Sequence, residues 1–168
     1  MTPQATRIGI PIENAELAKM LFDAAQEVFT SMLGSEVHRL PDPPADQPSP
    51  FDGVLSLIGL AGAAIGNGTV VCTPEAACKM SSLLLMSEYP NVDDQVLDAL
   101  GEIANMIIGG FKHLLEPHLG RLQMSIPSVI YGKNIATRNS KVPLALAVGC
   151  GFPGGECEVR IRLAAARE

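Results

Sequence analysis

Apolar residues recur at three- and four-residue steps in two long stretches of the chain, and as short runs or alternations in much of the rest. Over 14–33 they stand at Leu17, Met20, Leu21, Ala24, Val28, Met32 and Leu33. These positions share one helical face, and Gly34 is placed to end that helix in the left-handed conformation. Positions 41–50 are half proline; such a run lacks donors and cannot join a ladder, so it predicts an exposed, extended loop. Two apolar runs then flank Gly66-Asn67-Gly68 within 53–74, the pattern of a buried β-hairpin turning at that tripeptide. Thr73-Pro74-Glu75 has the order N-cap, first-turn proline, first-turn acid, and predicts a helix to about Met86. A longer helix follows Pro90, with Asn91 as expected N-cap, Asp93 and Asp94 near its positive end, and a stop at about Glu116, before Pro117. Stretches 123–131, 142–148 and 156–163 read as strands. In the last, Val159, Ile161 and Leu163 alternate with Arg160 and Arg162, predicting one wet face. This order of elements predicts an α+β fold in a single domain over 1–168, a mostly antiparallel sheet packed with long helices.

Composition limits the functions this fold can serve. The chain has 168 residues, 47% hydrophobic and 18% charged, with a net charge of -6 and no Trp. A chain this apolar can build a core. Its acidity excludes nucleic acid as a partner, since that needs a basic stripe, and its scarce aromatics exclude a base-stacking platform. The span 53–74 carries no charge and is long enough for a membrane helix. Five glycines and Asn67 within it argue for the hairpin instead, because each glycine costs a helix about 1 kcal/mol. At the N-terminus Arg7 is the lone cation and Glu13 interrupts the apolar stretch, so no secretory segment is expected. Cys72, Cys78, Cys150 and Cys157 form no Cys-x-x-Cys pair and read as reduced, mostly buried thiols of a cytoplasmic protein. His113 and His118 stand about 140° apart on a helix and are poorly placed to share a metal; no metal site is expected.

The chemistry concentrates on the long helix. Its core stripe runs through 96, 97, 100, 103, 104, 107, 108, 111, 114 and 115. Opposite stand Asp98, Glu102, Asn105, Gly109 and Lys112, within an arc of about 80° at about 100° per residue. Gly101 and Gly109 lower helix propensity, and their small size lets another surface approach a carboxylate and an amide closely. A solvated helix face, with glycines packed on a neighbouring strand, is the alternative at this point.

Asp98-Ala-Leu-Gly-Glu102-Ile-Ala-Asn105-Met-Ile-Ile-Gly109-Gly110, followed by Met124-Ser-Ile-Pro127, resembles the signature of the CheC/CheX/FliY chemotaxis phosphatases. That signature is Asp or Ser, three residues, Glu, two residues, Asn, and a proline slightly over twenty residues on. The similarity is to CheX-like members in particular and covers nearly the whole chain. It implies a CheX-like fold, a homodimer, and hydrolysis of the aspartyl-phosphate of a CheY-like response regulator. No cofactor of its own is implied; Mg²⁺ belongs to the partner regulator. Asn105 would position the attacking water, Glu102 would meet the regulator's active-site lysine, and Asp98, Gly109 and Pro127 would support them. An echo, Asp23-Ala-Ala-Gln-Glu27-Val-Phe-Thr30, lacks the asparagine, and one working site is expected. A non-catalytic adaptor of the same fold, binding a regulator or flagellar switch component, and a dimerisation module with a merely solvated stripe remain alternatives.

Overall fold

The computed structural model describes residues 8–166, so Arg7 lies outside the described residues. Three helices, α1 (Asn14–Ser31), α2 (Pro74–Leu85) and α3 (Asp94–Leu119), accompany seven strands. These are β1 (His38–Leu40), β2 (Phe51–Gly62), β3 (Ala64–Cys72), β4 (Leu122–Met124), β5 (Ser128–Ile135), β6 (Leu144–Phe152) and β7 (Gly155–Ala165). The sheet order is β1-β6-β7-β3-β2-β4, with β5 also pairing β2. Each of these pairings is antiparallel, as the α+β expectation required. No helix among the described residues is long and apolar enough to cross a membrane, and 53–74 lies in the β2–β3 hairpin and the start of α2.

One face of the sheet packs against the helices. Val54, Ile58 and Leu60 of β2, Val70 of β3, Val148 of β6 and Val159, Ile161 and Leu163 of β7 meet Leu17, Leu21 and Phe29 of α1 and Leu100, Ile103, Ile107 and Phe111 of α3 in one core. Close approach is built in: a Cβ on Gly110 of α3 would lie 3.5 Å from Ala24 of α1, and one on Gly68 of β3 would lie 2.6 Å from Ile108 of α3. The Phe29 and Phe152 rings stack with centroids 5.1 Å apart. Cys157 is the ladder partner of both Cys72 and Cys150, and all three are buried. Burial pushes the Cys72 thiol up to about 12, with Cys78 nearby adding to it. Such a thiol stays protonated and unreactive. Cys78 is half-buried.

Several sequence expectations need correction. The hairpin turns at Gly62-Ala63, not at Gly66-Asn67-Gly68, which pair within the ladder as Leu60↔Gly66 and Gly59↔Asn67. Those glycines serve close packing: a Cβ on Gly66 would overlap the Arg162 carbonyl. Gly62 has φ +129, which suits the turn. The N-cap of α3 is Asp93, whose Oδ1 accepts from the Val96 N–H at 2.9 Å, rather than Asn91. Pro117 lies inside α3; so near the helix end its missing N–H removes a single bond. Leu114 and Met32 are exposed, while Phe22, Ala25 and Phe29 widen the buried face of α1. Stretch 123–131 is two strands, and β1 adds an edge the sequence did not signal.

The largest correction concerns β7. Arg160 and Arg162 are 3% and 8% exposed rather than wet. The proline-rich 41–50 segment, exposed and without helix or strand as expected, ties down over them. Arg160 Nε donates to the Pro44 carbonyl and Nη1 to Gln47 Oε1. Arg162 pairs with Asp46 and donates to the Ser140 carbonyl. Alternation reports which face a residue points to; whether that face is wet depends on what crosses it.

Candidate active site

Helix α3 places Asp98, Glu102, Asn105 and Gly109 on successive turns, rising about 10 Å from Asp98 to Asn105. The helix is anchored from beneath by Val96, Leu100, Ile103, Ala104, Ile107 and Ile108, all fully buried. That stripe leaves the opposite side only one orientation. Asp98 and Glu102 are exposed and Asn105 is half-buried. None of the three side chains hydrogen-bonds to another described residue, so their donors and acceptors are free for a partner.

The far end of the stripe is closed. Lys112 Nζ lies 3.1 Å from Glu116 Oε1, and Glu116 Oε2 accepts from the Leu122 N–H at 3.0 Å. The Leu122 amide first, and Lys112 second, hold the Glu116 carboxyl below the usual carboxylate value. This pair is structural: it fixes where β4 leaves the helix.

Pro127 is brought to the motif by a break in the sheet edge. β4 pairs with the Leu60–Gly62 end of β2, and β5 with the rest of β2. Between them Ser125 holds the ladder, its N–H donating to the Gly59 carbonyl and its Oγ accepting from the Gly59 N–H at 2.8 Å. Proline cannot donate to a ladder, and 126–127 leave the sheet toward α3. A Cβ on Gly101 would lie 3.3 Å from Pro127 Cγ and 3.4 Å from Val129 Cγ2. Gly101 is thus the small residue that lets this loop reach the helix. Met124 lies over Gly109, its Cε 3.5 Å from where a Cβ would stand. Both glycines therefore face their own chain's β4–β5 segment, the packing alternative raised by the sequence.

Two depressions flank the acidic turn. One, of about 440 Å³, is lined by Asp94, Leu97, Asp98, Gly101, Pro127 and Val129. The other, of about 340 Å³, includes Leu84, Leu85, Tyr89, Asp98 and Glu102, so Asp98 forms the ridge between them. Ile126 is 87% exposed beside the first, and Met86 91% exposed at the end of α2 beside the second. Exposed apolar side chains of this kind, bordered by polar residues, mark interaction surfaces. Sequence reasoning missed Leu84, Leu85, Tyr89 and Ile126, since nothing in their local pattern marks them. The echo on α1 differs: Lys19 Nζ holds Asp23 at 2.9 Å, and Glu27 and Thr30 are exposed. Among the described residues no group of three His, Cys, Asp or Glu is placed to share a metal ion.

Comparison with known proteins gives a consistent picture. A family model described as chemotaxis phosphatase CheX matches residues 54–147, which hold both the α3 motif and Pro127. The CheY-P phosphatase CheX of Thermotoga maritima is 27% identical over 143 residues, covering 80% of this chain and 88% of that protein. The chemotaxis protein CheX of Vibrio vulnificus superposes with a TM-score of 0.76 at 21% identity, over 88% of this chain and 99% of that one. The CheX–CheY–BeF3–Mg²⁺ complex from Borrelia burgdorferi matches with a TM-score of 0.71 at 27% identity, over 91% of this chain and 99% of that one. The family model covers more than half of the chain, including every turn of α3 that carries the stripe, and the chain belongs to the CheX chemotaxis phosphatase family.

Proposed function

We propose that this protein hydrolyses the aspartyl-phosphate of a CheY-like response regulator, with Asn105 and Glu102 as the residues that act on it. The observation that carries the proposal is a carboxylate and an amide one turn apart on α3, unengaged by any described residue and flanked by exposed apolar side chains. In the reaction a water oxygen attacks phosphorus. The bond from phosphorus to the acyl oxygen breaks, its electron pair returning to the regulator's carboxylate, and inorganic phosphate leaves with the water's proton. Such a reaction needs the water held in line with the leaving oxygen. An amide accepts from that water and donates to the phosphoryl oxygens without adding negative charge, and this role falls to Asn105.

Glu102 meets the regulator's active-site lysine and fixes the docking register through a charge-assisted bond. Asp98, on the ridge between the depressions, supports the contact. Pro127 and Gly109 shape the surface around it. The Mg²⁺ comes with the regulator, a reading supported by the Borrelia complex, which contains CheX, CheY, BeF3 and Mg²⁺. A homodimer, a cytoplasmic location and one domain spanning the chain complete the proposal; light scattering tests the dimer. The test of function is to mix the protein with a phosphorylated CheY-type regulator and Mg²⁺ and follow phosphate release. Acceleration over the regulator's own decay is expected. Binding of the phosphorylated regulator without acceleration would leave the adaptor reading standing instead.

A further inference from the structure

The face of the sheet remote from α3 carries a second cavity, of about 240 Å³, beneath the 41–50 segment. Leu55 and Leu57 of β2 and Ile130 of β5 give its floor an apolar side, beside Asn67 and Thr69 of β3. Arg138, Arg160 and Arg162 also line it, and no acidic residue does. The carboxylates that pair with two of these arginines, Glu158 with Arg160 and Asp46 with Arg162, stand outside the lining. Arg138 makes no ion pair with a described residue. Two residues of the lining each carry a polar atom that is buried and without a partner among the described residues, Arg160 Nη2 and Thr137 Oγ1. Leaving a buried guanidinium nitrogen unpaired is costly, and a bound ion or water is one way such a group is satisfied. A cavity of this size exceeds the roughly 30 Å³ of one water many times over.

We propose that this cavity binds a small organic oxyanion, a phosphate or carboxylate head on an apolar body. The head accepts from the Arg138 guanidinium, next to Arg160 and Thr137, and the body lies on Leu55, Leu57 and Ile130. Occupancy also stiffens the roof, since Thr137 N–H donates to Ser49 Oγ at 3.0 Å and Arg160 reaches Gln47.

The test is calorimetric titration of the full chain with inorganic phosphate, phenyl phosphate and benzoate. Phenyl phosphate or benzoate is expected to bind at least about tenfold more tightly than inorganic phosphate, because only they cover the apolar side of the floor. Thr137→Val and Arg138→Ala each weaken that binding about fivefold or more without lowering the unliganded thermal midpoint, since neither side chain ties down the fold. Asn105→Ala leaves it unchanged, which separates this site from α3. Comparable affinity for all three anions overturns the apolar-body assignment. Absence of binding at millimolar concentration, or binding indifferent to both variants, overturns the site altogether.

Discussion

Helices α1 and α3 carry acidic residues at the same spacing, Asp23 and Glu27 on one and Asp98 and Glu102 on the other. Their surroundings differ at every level. On α1 the first carboxylate is occupied by Lys19 one turn back, and the third position is a threonine, whose hydroxyl is shorter than an amide. On α3 the carboxylates and Asn105 are unengaged. Gly101 admits Pro127 to the helix surface, and depressions open on both sides of Asp98. The difference teaches that the motif's carboxylates alone do not make a site. On α3, unlike α1, a glycine and a broken edge strand bring a second segment alongside them.

The largest effect expected from breaking this comparison is at Asn105. Asn105→Ala should lower phosphate release by at least about 100-fold, the order seen when a positioned donor is lost. Circular dichroism and much of the regulator affinity should be retained, since a half-buried amide with no partner among the described residues contributes little to folding. Turnover near that of the wild type would end the water-positioning assignment.

Charge reversal sharpens the contrast next. On the proposed docking, Glu102→Lys sets like charges against the regulator's lysine and should nearly eliminate catalytic efficiency. Glu102→Gln keeps the shape and should retain part of it, because a desolvated charge-assisted bond is worth several times an exposed pair. Glu27→Lys, at the matching place on α1, should leave efficiency within about twofold of wild type, the range of an exposed charge change. Equal damage from the two lysines in folded protein would require a second working site on α1.

A smaller effect is expected at Gly109. Gly109→Leu should raise helix propensity by up to about 1 kcal/mol, push the flexible Met124 side chain aside, and weaken regulator binding measured by titration. Unchanged affinity and activity would assign the glycine to packing against Met124 alone.

The smallest effect belongs to the closed end of α3. The folded Glu116 carboxyl lies below its usual value of 4.5, through the Leu122 amide and Lys112. A depressed carboxylate contributes stability above the unfolded value, and that contribution is lost as pH falls through the folded one. Thermal midpoints of wild type and Glu116→Gln should therefore differ slightly at neutral pH, and the gap should close below pH 4.5. A gap that persists on acidification would show that the ion pair contributes nothing pH-dependent.

Sequence alone determined what depends on neighbours three or four residues away. The core stripe of α3, the Thr73 cap, whose Oγ1 accepts from Ala76, and the left-handed Gly34 beyond α1 follow from local spacing. So does the ordering of Asp98, Glu102 and Asn105 along one face, because helical geometry converts residue number directly into direction. Tertiary structure decided whatever depends on segments distant in the chain. Gly66 and Gly68 look like a turn until the Arg162 backbone and Ile108 are placed against them. Stretch 123–131 reads as one strand until Ser125 joins Gly59 and Pro127 is drawn to Gly101. Arg160 and Arg162 look solvated until 41–50 crosses above them. Burial and approach are properties of pairs of segments, and a residue's own neighbours in sequence carry no record of which segment will lie across it.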